Sequence, residues 1–146
     1  MYITAGTTRA LSTELFKEVS SYRHKVFVEM LGWQLNTQNG MELDQFDRPD
    51  TLYVVSQDED GCVNGCARLL PTNHPYLLGE VFPQLLNGLP PPCTLDVWEL
   101  SRFAAVDFKH QSSSALGQFS SPIAIKLLQE AITHAGEHGE IGRAHV

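Results

Sequence analysis

The order of its patterned segments predicts that this chain is a mixed α/β layer protein: a helical stretch, a β-hairpin, a further strand and a last helix. Two hydrophobic periods carry the expectation. Leu11, Leu15, Val19, Val26 and Met30 fall at helical spacing, whereas TLYVVSQDEDGCVNGCARLLP reads as two β-rich runs joined by the turn formers Asp58 to Gly61. With 146 residues, 42% of them hydrophobic, the chain can bury one core, so a single domain over residues 1–146 is expected.

Residues 1 to 5 suit a short edge strand. Thr8 or Ser12 is placed to cap the first helix, which is expected to break near Ser20 and Ser21 and to end near Gly32. LNTQNGMELDQFDRPD, from Leu35 to Asp50, is polar and rich in turn formers and reads as a long loop, a kind of segment that usually carries function. The hairpin follows. HPYLLGEVFPQLLNGLPPPC, broken by prolines, should be an irregular crossing with one or two short helices. DVWELSRFAAV is the next strand. Ser120 or Ser121 with Pro122 opens the last helix, with Ile123, Leu127, Leu128, Ala131 and Ile132 as its apolar face. The closing GEHGEIGRAHV contains no further β-like run.

A net charge of -7 and a pI near 5.2 argue against a nucleic-acid partner, which needs a concentrated basic surface. The N-terminus lacks the pattern of a secretory signal and no apolar run approaches the ~20 residues of a membrane span, so a cytoplasmic protein without a membrane span is expected. Cys62, Cys66 and Cys93 lack metal-type spacing and read as reduced packing residues. HAGEH, with His134 and His138, is a weak zinc pattern without a third ligand, and no metal is expected.

The charges inside DVWELSRF need an explanation, because charge in a buried strand is costly unless paired or used. Regular alternation puts Glu99 and Ser101 on one face and Arg102 on the other. A β-bulge near Leu100 or Ser101 would bring Glu99 and Arg102 to one side, beside a cleft; the plainer alternative is an edge strand with a structural Glu–Arg pair. Arg23, Arg48, Arg68 and Arg102, interleaved with Glu42, Asp44, Asp47, Asp50 and Glu99, suggest a local ionic network. Asp44 and Asp47 could form a two-carboxylate patch, or serve only as loop and capping residues.

Arg23 and Phe27 in YRHKVF, Trp33 in LGW, Asp44 and Asp47 in ELDQFD, Arg68 in GCARLLP, Phe82 in GEVFP, and Glu99, Ser101 and Arg102 in WELSRF together resemble the acyl-homoserine lactone synthases, the LuxI-type autoinducer synthases. The likeness runs from about Tyr22 to Val106. It implies a GNAT-like fold, a mixed sheet flanked by helices in three layers, α-β-α. It implies a reaction between S-adenosylmethionine, as substrate and not as a permanently bound cofactor, and an acyl thioester of acyl carrier protein or coenzyme A. The product would be a quorum-sensing N-acyl-homoserine lactone, with methylthioadenosine and the carrier thiol released. Glu99, Ser101 and Arg102 would be catalytic, with Glu99 as general base. Arg23, Phe27, Trp33, Asp44, Asp47, Arg68 and Phe82 would hold S-adenosylmethionine and its surroundings.

Chains of that family continue past the last helix with strands that complete the sheet, so this domain is expected to be shortened after about residue 139. Lys109, His110 and Lys126 are candidates for a basic patch that docks an acidic carrier protein. A GNAT-type N-acetyltransferase is one alternative, although its pyrophosphate loop is missing from FKHQSSSALGQFSSP. A non-catalytic, ligand-binding fragment is the other.

Overall fold

The computed structural model describes residues 1–110, 121–138 and 143–145. In chain order the elements are β1 (Tyr2–Gly6), α1 (Thr13–Arg23), a π-helix (His24–Met30), β2 (Thr37–Gln38), β3 (Met41–Glu42), β4 (Leu52–Gln57), β5 (Val63–Pro71), α2 (Leu77–Glu80), a 3₁₀ turn (Pro83–Leu86), β6 (Val97–Ala104), α3 (Pro122–His138) and β7 (Arg143–His145). Five strands form one sheet in the order β1-β4-β5-β6-β7, and β2 and β3 make a separate two-stranded ribbon. All neighbours in the large sheet are antiparallel except β6 and β7, which are parallel.

Helices cover both faces. In β4, Leu52 and Val54 point to α3, where they pack with Leu69, Trp98, Leu100, Leu127 and Ala131, while Tyr53 and Val55 point to α1 with Val19, Tyr22, Val26 and Cys66. Burial on both faces explains why TLYVV is a continuous apolar run. Ser12 caps α1 by accepting the amide of Leu15 at 3.1 Å. The helix does not break at Ser20 and Ser21; its winding loosens at His24, and the π-helix ends before Gly32, whose φ of +71° suits glycine. The loop of Leu35 to Asp50 includes the β2–β3 ribbon, and a short strand, β7, follows α3 where none was expected.

α3 is turned from its expected orientation. The side chains it buries are Ala124, Leu127, Ala131 and Ala135, whereas Leu128 and Ile132 are 41% and 53% exposed. Small residues let the helix lie close to β5. A Cβ on Gly65 would sit 2.6 Å from Leu127 Cδ1, 2.9 Å from Ile123 Cγ2 and 3.3 Å from the carbonyl oxygen of Ala104. Leu127 is fully buried and has little room to yield, so Gly65→Ala should cost about 1–3 kcal/mol of stability by overpacking, read as a lower urea midpoint at unchanged slope.

Candidate active site

The acidic loop is preorganised by its own backbone. The Asp44 amide donates to Asp47 Oδ2 at 2.8 Å, and the Phe46 amide donates to Asp44 Oδ1 at 2.9 Å. Phe46, packed with Leu70 and Tyr76, pins the turn against the sheet. The carboxylates are thereby held where arginines from three other elements reach them.

Arg23, in the last turn of α1, donates through Nε to Glu42 Oε1 at 3.0 Å and through its two terminal nitrogens to Asp47 at 2.7 and 3.1 Å. Arg68, on β5, binds Asp44 through two nitrogens at 2.6 and 3.1 Å and gives its Nε–H to Ser101 Oγ at 3.0 Å. Arg102, on β6, donates to Glu42 Oε1 at 2.7 Å and to Asp44 Oδ2 at 3.0 Å. The Tyr53 hydroxyl donates to Asp47 at 2.8 Å. Three guanidiniums thus face three carboxylates in a lattice whose charges cancel, with Arg23, Arg68 and Glu42 almost wholly buried. Carboxylate oxygens of Glu42, Asp44 and Asp47 lie within 4.8 Å of one another, a spacing compatible with a metal, but guanidiniums already bind all three.

Burial alone would raise the Asp47 carboxyl; hydrogen bonds and charge from Arg23, with the charge of Arg68, reverse this and hold it well below the usual carboxylate range. Burial opposes the Arg23 charge, yet Asp47 and Glu42 push its pKa upward. On the alkaline side, burial pushes the Cys66 thiol up to about 12 and raises the Tyr22 hydroxyl, while burial and Asp47 together raise that of Tyr53. These directions fix the pH dependence of stability. Asp47, depressed in the fold, stabilises above about pH 4 and loses that contribution as the pH falls below it. Cys66, raised in the fold, stabilises below about pH 8.5, and Tyr22 and Tyr53 below about pH 10; these contributions fade as the pH rises further. Melting temperature measured against pH should therefore fall at both ends, and Tyr53→Phe should make the alkaline fall shallower.

The bulge that unites the charged face lies just beyond the expected Leu100 or Ser101. Cys66 pairs with Ala104 but Arg68 pairs with Ser101, so β6 carries one extra residue in the stretch Arg102–Phe103, and Arg102 adopts φ +51°. Ser101 and Arg102, adjacent in sequence, thus both join the charged lattice, Ser101 through Arg68 and Arg102 through Asp44, and Phe103 returns to the α3 side. Glu99 shares that face but is not the partner of Arg102. Its two carboxylate oxygens accept the amides of Leu77 and Leu78 at 3.0 and 2.8 Å, at the start of α2.

β7 covers only Val97 to Glu99 of β6. Around the rest of that edge lies a cavity of about 480 Å³, lined by Phe27, Trp33 and Leu100 to Phe103 on the strand side and by Ala124, Ile125, Leu128, Gln129 and Ile132 of α3. Phe27 and Trp33 stack with centroids 4.9 Å apart, and the Arg102 guanidinium lies 5.8 Å from the Phe27 centroid. The π-helix contributes here: the Trp33 amide donates to the Phe27 carbonyl, turning the chain so that the two rings meet. One end of the cavity is thus aromatic and beside charge, and the other is aliphatic.

Of the residues expected at the site, Arg23, Asp44, Asp47, Arg68, Ser101 and Arg102 are joined by hydrogen bonds, and Phe27 and Trp33 flank them. Phe82, 43% exposed before the 3₁₀ turn, is absent from the cavity wall, and so is Glu99, so that Glu99 and Arg102 do not both line this cavity as expected. Asp44 and Asp47 face arginines rather than an open patch. Tyr53 was not among the expected residues, and Glu42 was expected only as a member of the ionic network. The hairpin register pairs Tyr53 with Arg68, so strand alternation could have found it, but nothing in the sequence signals the complete burial of Glu42. The expected basic patch does not form: Lys109 is bound to Asp58 and Asp60 in a different cleft, His110 to Asp107, and Lys126 to Glu130. Cys66 is a packing residue, whereas Cys62 and Cys93 are exposed. His134 sits beside Glu130 and Glu137, and the side chain of His138 lies outside the described residues. So do residues 111–120, which include most of the stretch compared with the pyrophosphate loop.

An acyl-homoserine-lactone synthase of Acinetobacter nosocomialis is 57% identical over 139 residues, covering 95% of this chain and 76% of the relative. The crystal structure of TofI in a ternary complex with an inhibitor and MTA superposes with a TM-score of 0.78 at 42% identity, over 95% of this chain and 68% of that one. The CoA-dependent acyl-homoserine lactone synthase BjaI, with SAM and isopentyl-CoA, gives a TM-score of 0.75 at 28% identity, over 92% of this chain and 61% of that one. The autoinducer synthase model matches residues 7–143, and with the sequence relatives and the shared fold it shows that the chain belongs to the autoinducer synthase family.

Proposed function

We propose that the chain synthesises an N-acyl-homoserine lactone from S-adenosylmethionine and an acyl thioester. The observation that carries the reading is the two-ended cavity at the bulged edge of β6, where stacked aromatic rings beside a charged lattice meet an aliphatic wall. A cationic, aromatic cosubstrate suits the first end and an acyl chain suits the second. No permanently bound cofactor or metal forms part of the proposal. Both substrates are cytoplasmic metabolites, and the chain is proposed to act there; none of the described helices is long and apolar enough to cross a membrane.

The chemistry has two steps. The α-amine of S-adenosylmethionine, once neutral, attacks the thioester carbonyl; a C–N bond forms, the C–S bond breaks, and the carrier leaves as a thiol. The substrate carboxylate oxygen then attacks the γ-carbon beside the sulfonium, closing the lactone and expelling neutral methylthioadenosine. An α-amine with an ordinary pKa of about 7.7–8.0 is largely protonated at neutral pH, so the first step needs a proton acceptor. Glu99 is the residue proposed for it: each carboxylate oxygen holds one amide and keeps a second lone pair, through which a water can pass the proton. Ser101 Oγ accepts from Arg68, which leaves its own hydrogen free for the tetrahedral oxygen. Arg102, held by Glu42 and Asp44, keeps its guanidinium at the cavity wall near Phe27. Arg23, Asp44, Asp47 and Arg68 are proposed to fix this geometry, with Phe27 and Trp33 packing on the adenosyl group.

Mass spectrometry of the purified chain with S-adenosylmethionine and a panel of acyl thioesters, on acyl carrier protein and on coenzyme A, tests the proposal. The expected result is an acyl-homoserine lactone with equimolar methylthioadenosine. Transfer to an amine without consumption of S-adenosylmethionine would point to an N-acetyltransferase instead, and binding without turnover to a non-catalytic fragment.

A further inference from the structure

α3 carries two stripes. Ala124, Leu127, Ala131 and Ala135 pack into the sheet at 2% exposure or less. Ile125, Leu128, Gln129 and Ile132, at i, i+3, i+4 and i+7, line the cavity. Helical spacing calls for a fourth apolar residue in that wall, and position 129 is a glutamine. On the strand side of the cavity, Arg102 is bound to Glu42 and Asp44, and Ser101 takes the Nε–H of Arg68 and keeps its own hydrogen for the reacting carbonyl. The side-chain amide of Gln129 makes no hydrogen bond to any described residue, so it alone in the aliphatic wall offers both a donor and an acceptor to a ligand.

We propose that Gln129 determines acyl specificity, selecting chains that carry a keto or hydroxyl oxygen over unsubstituted chains of the same length. This rests on the function proposed above. An unsubstituted chain strips water from the amide and returns nothing, whereas an oxygenated chain replaces the lost hydrogen bond. A site built to hydrogen-bond a substrate group discriminates against the analogue that lacks it more strongly than an apolar wall discriminates by size.

The test compares kcat/KM of the full chain and its Gln129→Leu variant for β-hydroxydecanoyl, β-ketodecanoyl and decanoyl thioesters. Leucine keeps the volume, and position 129 is exposed enough that the fold should be unaffected, which matched melting temperatures would verify. The ratio of oxygenated to unsubstituted kcat/KM is expected to fall at least tenfold in the variant, about the worth of one good hydrogen bond. A ratio unchanged within about twofold while lactone is still made overturns this inference and leaves the proposed function standing. If no thioester is turned over, quenching of tryptophan fluorescence by N-(β-hydroxydecanoyl)- and N-decanoyl-homoserine lactone decides: a preference for the first that is lost in Gln129→Leu supports the inference, and equal or absent binding overturns it. Absent turnover together with absent binding removes the proposed function as well.

Discussion

Arg23→Ala should lower the unfolding free energy by about 3–5 kcal/mol. Arg23 is 1% exposed and supplies hydrogen bonds to both Glu42 and Asp47. Its removal leaves two buried carboxylates short of a cation, and the neighbours are already committed: Arg102 to Glu42, Tyr53 to Asp47 and Arg68 to Asp44. Arg48→Ala makes a suitable control, since Arg48 and Asp50 are 22% and 37% exposed and such pairs contribute about 1 kcal/mol or less. Chemical denaturation of both variants checks the contrast. Arg23→Ala with a loss as small as that of Arg48→Ala would mean that the lattice is not a structural unit.

Glu99→Gln should reduce turnover by about 10²- to 10⁴-fold if Glu99 accepts the proton of the substrate amine. The substitution has a second consequence that must be separated from the first. A glutamine offers one acceptor oxygen where the carboxylate offers two, so one of the Leu77 and Leu78 amides loses its partner at a cost of about 1–3 kcal/mol. Turnover and KM measured well below the melting temperature, beside the melting temperature itself, distinguish the effects. Loss of kcat with little change in KM supports proton transfer. A lower melting temperature with unchanged kcat would assign Glu99 to anchoring α2 and nothing more.

The sequence revealed the kinds of element more readily than the directions in which they face. The hairpin, the Ser12 cap and the Pro122 start were legible because each depends on a few adjacent residues. The exposed face of α3 was not, because the helix turns its small residues to the sheet, with Leu127 and Ile123 seated over Gly65 and Ala124 and Ala135 in one core with Ala67, and those small residues of β5 lie on another element. Charges within WELSRF pointed to a bulge, since only a change of register lets Ser101 and Arg102 act on one side. Its position depends on how Cys66 and Arg68 seat against β6, which the strand alone does not encode. Loosening of the helix at His24 has no periodic signature in YRHKVF, yet it helps bring Phe27 to Trp33.

The long reach of these contacts has a consequence for how the chain comes apart. Arg102 meets Glu42 across 60 positions, and the Tyr22 hydroxyl clasps both the amide and the carbonyl of Val106 across 84. The β4–β5 hairpin, by contrast, closes through a turn of a few residues. Closing a long loop costs more entropy than closing a short one, so the hairpin is expected to be in place at the folding barrier and the clasp and lattice to lock after it. Contacts made late leave the folding rate nearly untouched and slow unfolding instead. Tyr22→Phe and Arg23→Ala should therefore steepen the loss of native protein with time while refolding proceeds at its usual pace, and the charged lattice then sets the working lifetime of the fold as well as its stability.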